Sequence, residues 1–228
     1  MKPYFGLFKM TFQYELQYRV KALSGIFTQL FWGFMYVFLY TAFLGGKLID
    51  GFNINQMASY IWLGQAFFAM RFISLPSRSA DEIVNGNVCY KFVRPINLYS
   101  MWYFEHLGQT LASTLLRFPF IIIIAFLLPS GMGLSLPASF ISLLLFILCL
   151  IVGMAINNAI SILMVCLTFK TMAPKSTVAI VNVISGVLGG IYIPLPLMPQ
   201  FLQNITKFLP FSYISDLAQR VYIGNVSP

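Results

Sequence analysis

The chain reads as an all-α polytopic membrane protein, a single transmembrane domain over residues 1–228. Three observations predict it. Apolar residues make up 59% of the chain and charged residues only 9%, with a mean hydropathy of +0.81, whereas a soluble domain carries roughly a quarter charged residues. Several apolar runs reach the ~20 residues that a helix needs to cross a bilayer. The basic residues gather near the ends of those runs, so the formal charge of +8 points to a membrane surface rather than to nucleic acid.

Residues 1–22 mix Tyr4, Phe5, Leu7, Phe8, Phe12, Leu16 and Val20 with Lys2, Lys9, Glu15, Arg19 and Lys21. That is too charged for a span and suits an amphipathic helix lying in the interface. A frayed polar tail is the alternative, which the aromatic density opposes. The first span, 23–44, carries no charge, exceeds 20 residues and lacks a small-residue cleavage site, so it is not a signal peptide. A short loop with Gly45, Lys47 and Asp50 leads to span two, 54–75, whose one charge, Arg71, is near its end and can snorkel to the interface. A cytoplasmic coupling region, 76–103, separates it from span three, 107–128. A tight apolar hairpin, 129–137, leads into span four, 138–168, long enough to tilt. Lys170, Pro174 and Lys175 mark a polar turn before span five, 176–193. Residues 194–228 read as external amphipathic or re-entrant helices.

With the N-terminus inside, ten basic residues fall on the inner side (Lys2, Lys9, Arg19, Lys21, Arg71, Arg78, Lys91, Arg94, Lys170, Lys175) and three on the outer (Lys47, Lys207, Arg220). The positive-inside bias therefore makes the N-terminus and the 76–103 region cytoplasmic. Cys89, Cys149 and Cys166 have neither metal nor disulfide-framework spacing. No phosphate-cradling Gly-rich loop is present, so this chain does not hydrolyse ATP alone.

The stretch 81–95, DEIVNGNVCYKFVRP, is a partly polar knuckle between spans. Asp81 and Glu82 suit the start of a helix, with Ser77 or Ser79 as a cap. Asn85-Gly86-Asn87 breaks it, a run from Val88 to Val93 follows, and Arg94-Pro95 stops that. Ile83, Val84, Tyr90 and Phe92 can anchor a soluble partner, while Asp81, Glu82, Lys91 and Arg94 orient it. A plain loop held at the inner leaflet by Lys91 and Arg94 is the competing reading.

These residues resemble a known family. Glu82-Ile83-x-x-Gly86-x-Val88 followed by Phe92-Val93-Arg94-Pro95-Ile96 is similar to the cytoplasmic loop of bacterial ABC-2 type permeases, the membrane subunits of ATP-binding-cassette transporters. Ile193-Pro194-Leu195-Pro196-Leu197-Met198-Pro199-x-Phe201-Leu202, then Leu209-Pro210-Phe211 and Tyr222-Ile223-Gly224, resembles the family's external helices. The resemblance implies six spans per subunit, with the sixth expected after residue 228, and two such subunits, identical or related. It also implies two cytosolic ATPase subunits that bind ATP and Mg, no cofactor on this chain, and a bacterial plasma membrane. The knuckle would be the coupling helix, with Asp81, Glu82, Ile83, Gly86, Val88, Tyr90, Lys91, Phe92, Arg94 and Pro95 facing the ATPase. Export of a hydrophobic or amphiphilic substrate (drug, peptide, lipid or glycan-lipid) would follow.

Arg117 lies in span three, eleven residues before Leu128 and thus roughly 16 Å from the outer edge. It reads as lining for an anionic or amphiphilic substrate, or as a cation that snorkels inward or bonds carbonyls freed by Pro119. Asn157, Asn158 and Asn182 are further candidates for a translocation path, with interhelical hydrogen bonding as the plainer reading. Gly186 and Gly190 have the spacing of a close helix contact. Glu105 and His106 read as solvated groups at the inner end of span three rather than a proton relay. The strings at Asn204 and Asn225 read as chance glycosylation motifs. Two other classes stay open: a secondary transporter or channel without ATPase, which predicts matched broken helices in two halves, and a membrane scaffold or assembly factor.

Overall fold

Residues 2–44 and 53–225 are described in a computed structural model of the chain. The expected loop with Lys47, the end of the Asn225 string and the Ser77 side chain lie outside the described residues. All regular structure among the described residues is helical. Three helices are long and apolar enough to cross a membrane: α2 (Arg19–Leu44), α7 (Leu98–Leu127) and α8 (Phe140–Thr171).

Helix α1 (Lys2–Gln17) departs from a helix lying flat in the interface. It runs beside the N-terminal part of α7: Tyr4 stacks on Phe104 at 6.0 Å, Phe8 passes over Gly108, and Glu15 joins Ser113 and Arg117 around one cavity. A Cβ on Gly108 would lie 2.8 Å from the Phe8 carbonyl oxygen, so that glycine sets the close approach.

Span two begins where expected. Asn53 caps α3 (Ile54–Ala66) in a capping box with Gln56. The continuous helix to residue 75 does not form. It breaks after Ala66 into the short α4 (Phe68–Arg71) and then extended chain. Side chains from two other helices pair the freed backbone, and one from a third bonds the Ser74 hydroxyl beside it. Asn182 accepts from Ile73 N–H at 2.9 Å and donates to Ile73 C=O at 2.8 Å, and Asn157 Nδ2 donates to Phe72 C=O at 3.2 Å. His106 Nε2 meets the Ser74 hydroxyl at 2.9 Å, and its Nδ1 bonds Asn158 Oδ1. Irregular backbone in a membrane protein is tolerated where the protein itself pairs it. His106 is thus buried, not solvated, because it is the post that holds this break. Asn182→Ala removes both bonds to Ile73 and is expected to lower stability by about 0.6–2 kcal/mol; a thermal unfolding scan in detergent checks it.

Helix α5 (Ser77–Val84) starts behind Pro76, and Ser79 lies inside it rather than capping it as expected. Helix α6 (Cys89–Phe92) completes the knuckle. Asn97 caps α7, which begins nine residues earlier than span three was placed, and Ser139 caps α8. Helix α9 (Pro174–Leu188) has 15 residues, about 22 Å, too short for a ~30 Å hydrocarbon layer. It stops in a Schellman motif: Ile191 N–H reaches Gly186 C=O at 3.0 Å, Gly190 N–H reaches Val187 C=O at 3.3 Å, and Gly190 has φ +73°. Gly186 and Gly190 therefore end a helix rather than join two, and the Tyr192 ring occupies the face of Gly186.

After a 3₁₀ turn (Leu195–Leu197) come α10 (Gln200–Thr206), α11 (Pro210–Ile214) and α12 (Asp216–Tyr222). The last two do not lie on the surface. Ile214 C=O sits against Gly153, well along α8, and Tyr222 packs on Phe146 at 5.2 Å. Tyr222 C=O accepts from Ala138 N–H at 3.1 Å, back near the start of α8. This segment re-enters because Gly153 leaves room for its backbone. Gly153→Leu is expected to lower stability by about 1–3 kcal/mol through overpacking, read as a drop in the unfolding midpoint. The core around it joins Trp62, Tyr60, Ile121, Phe146 and Tyr222.

Candidate functional site

Two places carry functional groups. The first is the knuckle. Ile83 and Val88 are buried with Trp102, Ile162 and Val165 of α7 and α8. These two apolar residues seat the knuckle on its own chain, so Ile83 is not free to anchor a partner. Gly86 has the left-handed φ of +75° that turns the chain between α5 and α6. Glu82 is held by Arg78 Nε at 3.3 Å and by Lys91, so Glu82 and Lys91 satisfy each other rather than stand free to orient a partner. Asp81, Arg94 and Pro95 are exposed. Four apolar side chains are left facing outward: Val84 (41% exposed), Tyr90 (75%), Phe92 (61%) and Val93 (84%). Val93 was visible in the sequence only as part of a motif; exposure singles it out.

The second is a cavity of about 480 Å³ between α2, the α3–α4 break and α7. A neighbouring lobe of about 420 Å³ shares Lys21, Phe68, Phe72 and Arg117 with it. Arg117 lies half-buried, its guanidinium over Gly25, where a Cβ would stand 2.7 Å from the guanidinium carbon. The side chain thus reaches toward the charged start of α2, where Lys21 pairs with Glu15 at 3.3 Å. Arg117 lines this cavity from α7. Asn157, Asn158 and Asn182 do not line this cavity; they brace the break described above.

Arg71 does not snorkel. It is 5% exposed, fits against Gly64, and donates to Gly190 C=O at 3.4 Å. Behind it, Tyr60 donates to Asp216 Oδ1 at 2.7 Å, and Arg220 approaches Asp216 Oδ2 at 3.6 Å. The helix break turns Arg71 into the protein interior, where the Gly190 carbonyl just past α9 receives it and the charge of Asp216 in α12 acts on it. Sequence reasoning placed Arg71 at an interface because it took span two as unbroken, and it passed over Asp216 because α12 read as a surface helix.

The layout matches a known family. The family model described as ABC-2 family transporter protein matches residues 30–228. No curated protein and no solved structure matches the chain. The matched region contains the knuckle, the broken second span and the re-entrant end; the chain belongs to the ABC-2 transporter family.

Proposed function

We propose that this chain is the permease subunit of an exporter whose ATP hydrolysis takes place on a separate cytosolic subunit. The family carries the general reading, a transporter membrane protein that works with ABC ATPases. One observation supports the specific one. Val84, Tyr90, Phe92 and Val93 point outward from a knuckle that is seated on α7 and α8 by Ile83 and Val88. An exposed apolar cluster with a charged rim, here Asp81 and Arg94, suits a partner groove. The seat transmits a push: a partner that moves α5 and α6 moves the inner end of α8, against which Phe92 leans through Phe169 at 6.2 Å. A second permease subunit, a hydrophobic or amphiphilic cargo, a cytoplasmic N-terminus and a bacterial plasma membrane complete the proposal.

Purification from native membranes in mild detergent tests it. A stoichiometric ATPase and ATP hydrolysis are expected with wild type, and Arg94→Ala is expected to weaken both. If no ATPase accompanies the chain, the transporter without an ATPase or the scaffold takes over.

A further inference from the structure

The cavity over Gly25 has a chemistry that the knuckle does not explain. Four buried side-chain atoms in its walls have no hydrogen-bond partner among the described residues: Gln29 Oε1, Gln65 Oε1, Arg71 Nε and Arg117 Nε. Gln29, Gln65 and Arg71 are 3%, 6% and 5% exposed. Buried polar groups are nearly always paired, so four gathered around one space point to what fills it. Two of the atoms donate from cations, and Lys21 adds a third positive charge. The other two accept. In both lobes the one carboxylate among the described residues is Glu15, already paired with Lys21. Between these polar groups stand the rings of Trp32, Phe68, Phe72 and Tyr192.

We infer that this cavity binds an anionic amphiphile of the alkyl phosphate kind. Arg117, Lys21 and Arg71 take the anionic oxygens, hydroxyls near the head group donate to the two glutamine oxygens, and the alkyl chain lies along the rings. With Lys21 paired to Glu15 and Asp216 to Arg220, Arg117 and Arg71 leave a net positive charge at the cavity, which favours an anionic head group. The volume lies within the usual ~300–1,000 Å³ of small-molecule sites. That the ligand is cargo rests on the permease reading; that it binds does not.

The test uses the full chain in phosphatidylcholine nanodiscs and radiolabelled dodecyl phosphate, with empty nanodiscs subtracted. Saturable binding is expected, at least about tenfold tighter than that of the neutral dodecyl maltoside. Arg117→Gln is expected to weaken it by about tenfold or more, as the loss of a charged hydrogen bond does, while Arg117→Lys retains most of it. Should Arg117→Gln lower the unfolding midpoint, Lys21→Gln, at an exposed position, is expected to weaken binding severalfold with the fold intact. Equal affinity for dodecyl maltoside, equal affinity for inorganic phosphate, or no change in these variants overturns the inference. Competition by phosphatidylglycerol in the nanodisc assigns the site to a resident lipid, and its absence assigns it to a transported molecule. Failed binding while the ATPase still copurifies removes this inference alone. Binding without any ATPase removes the permease reading and leaves the site.

Discussion

Tyr90→Ala combined with Phe92→Ala is expected to abolish capture of the ATPase while the membrane fold survives. Both rings are mostly exposed, so their loss removes little internal packing. Aromatic anchors at the centre of an interface commonly contribute about 2 kcal/mol or more each. Two of them account for a loss of roughly a thousandfold in affinity. The check is the amount of ATPase that copurifies, measured beside the unfolding midpoint. Ile83→Ala should act differently. It empties a buried seat, costs about 2–5 kcal/mol locally, and loosens the knuckle without touching its outer face. A double variant that retains full ATPase and full coupling would reduce the knuckle to a cytoplasmic loop.

Asp216→Ala is expected to be the most damaging single substitution among the re-entrant residues. Asp216 is 2% exposed, accepts from Tyr60 at 2.7 Å and faces the cations of Arg220 and Arg71. Its loss leaves the Arg220 and Arg71 cations without the carboxylate they face. Breaking one partner out of a buried ion pair costs about 3–5 kcal/mol. Asp216→Asn keeps an acceptor for Tyr60 and is expected to cost less. Unfolding midpoints of the two variants in detergent decide it. If Asp216→Ala unfolds as wild type does, the tie between α3 and α12 is not what holds the re-entrant segment in place.

Much of this was legible because the signals were local. The starts of α3 at Ile54 and α9 at Pro174 fell within two residues of where apolar runs and turn residues placed them. Gly86 ended the first half of the knuckle, as a residue free to adopt positive φ should. The outward-facing Tyr90 and Phe92 followed from an amphipathic run. The misreadings share one cause. Arg71, His106 and Asp216 were each judged by their own segment, yet their partners lie on other segments of the chain. Period and composition tell how apolar a helix is, not whether a distant side chain will pair its backbone once it breaks.

The sequence by itself determined the class. A chain this apolar, with its charges at the ends of long runs, must satisfy its backbone internally and so becomes a bundle of helices. It also determined where the knuckle turns, because Gly86 acts on the backbone where it stands. Only the tertiary structure decided which spans stay whole. Span two breaks because Asn182, Asn157 and His106 converge on residues 72–74, and α9 stops early because Gly190 caps it. Those two interruptions turn Arg71 inward, admit the re-entrant segment beside Gly153, and leave a cationic cavity under Arg117. Each depends on groups far apart in the chain, and their meeting is fixed by packing rather than by spacing.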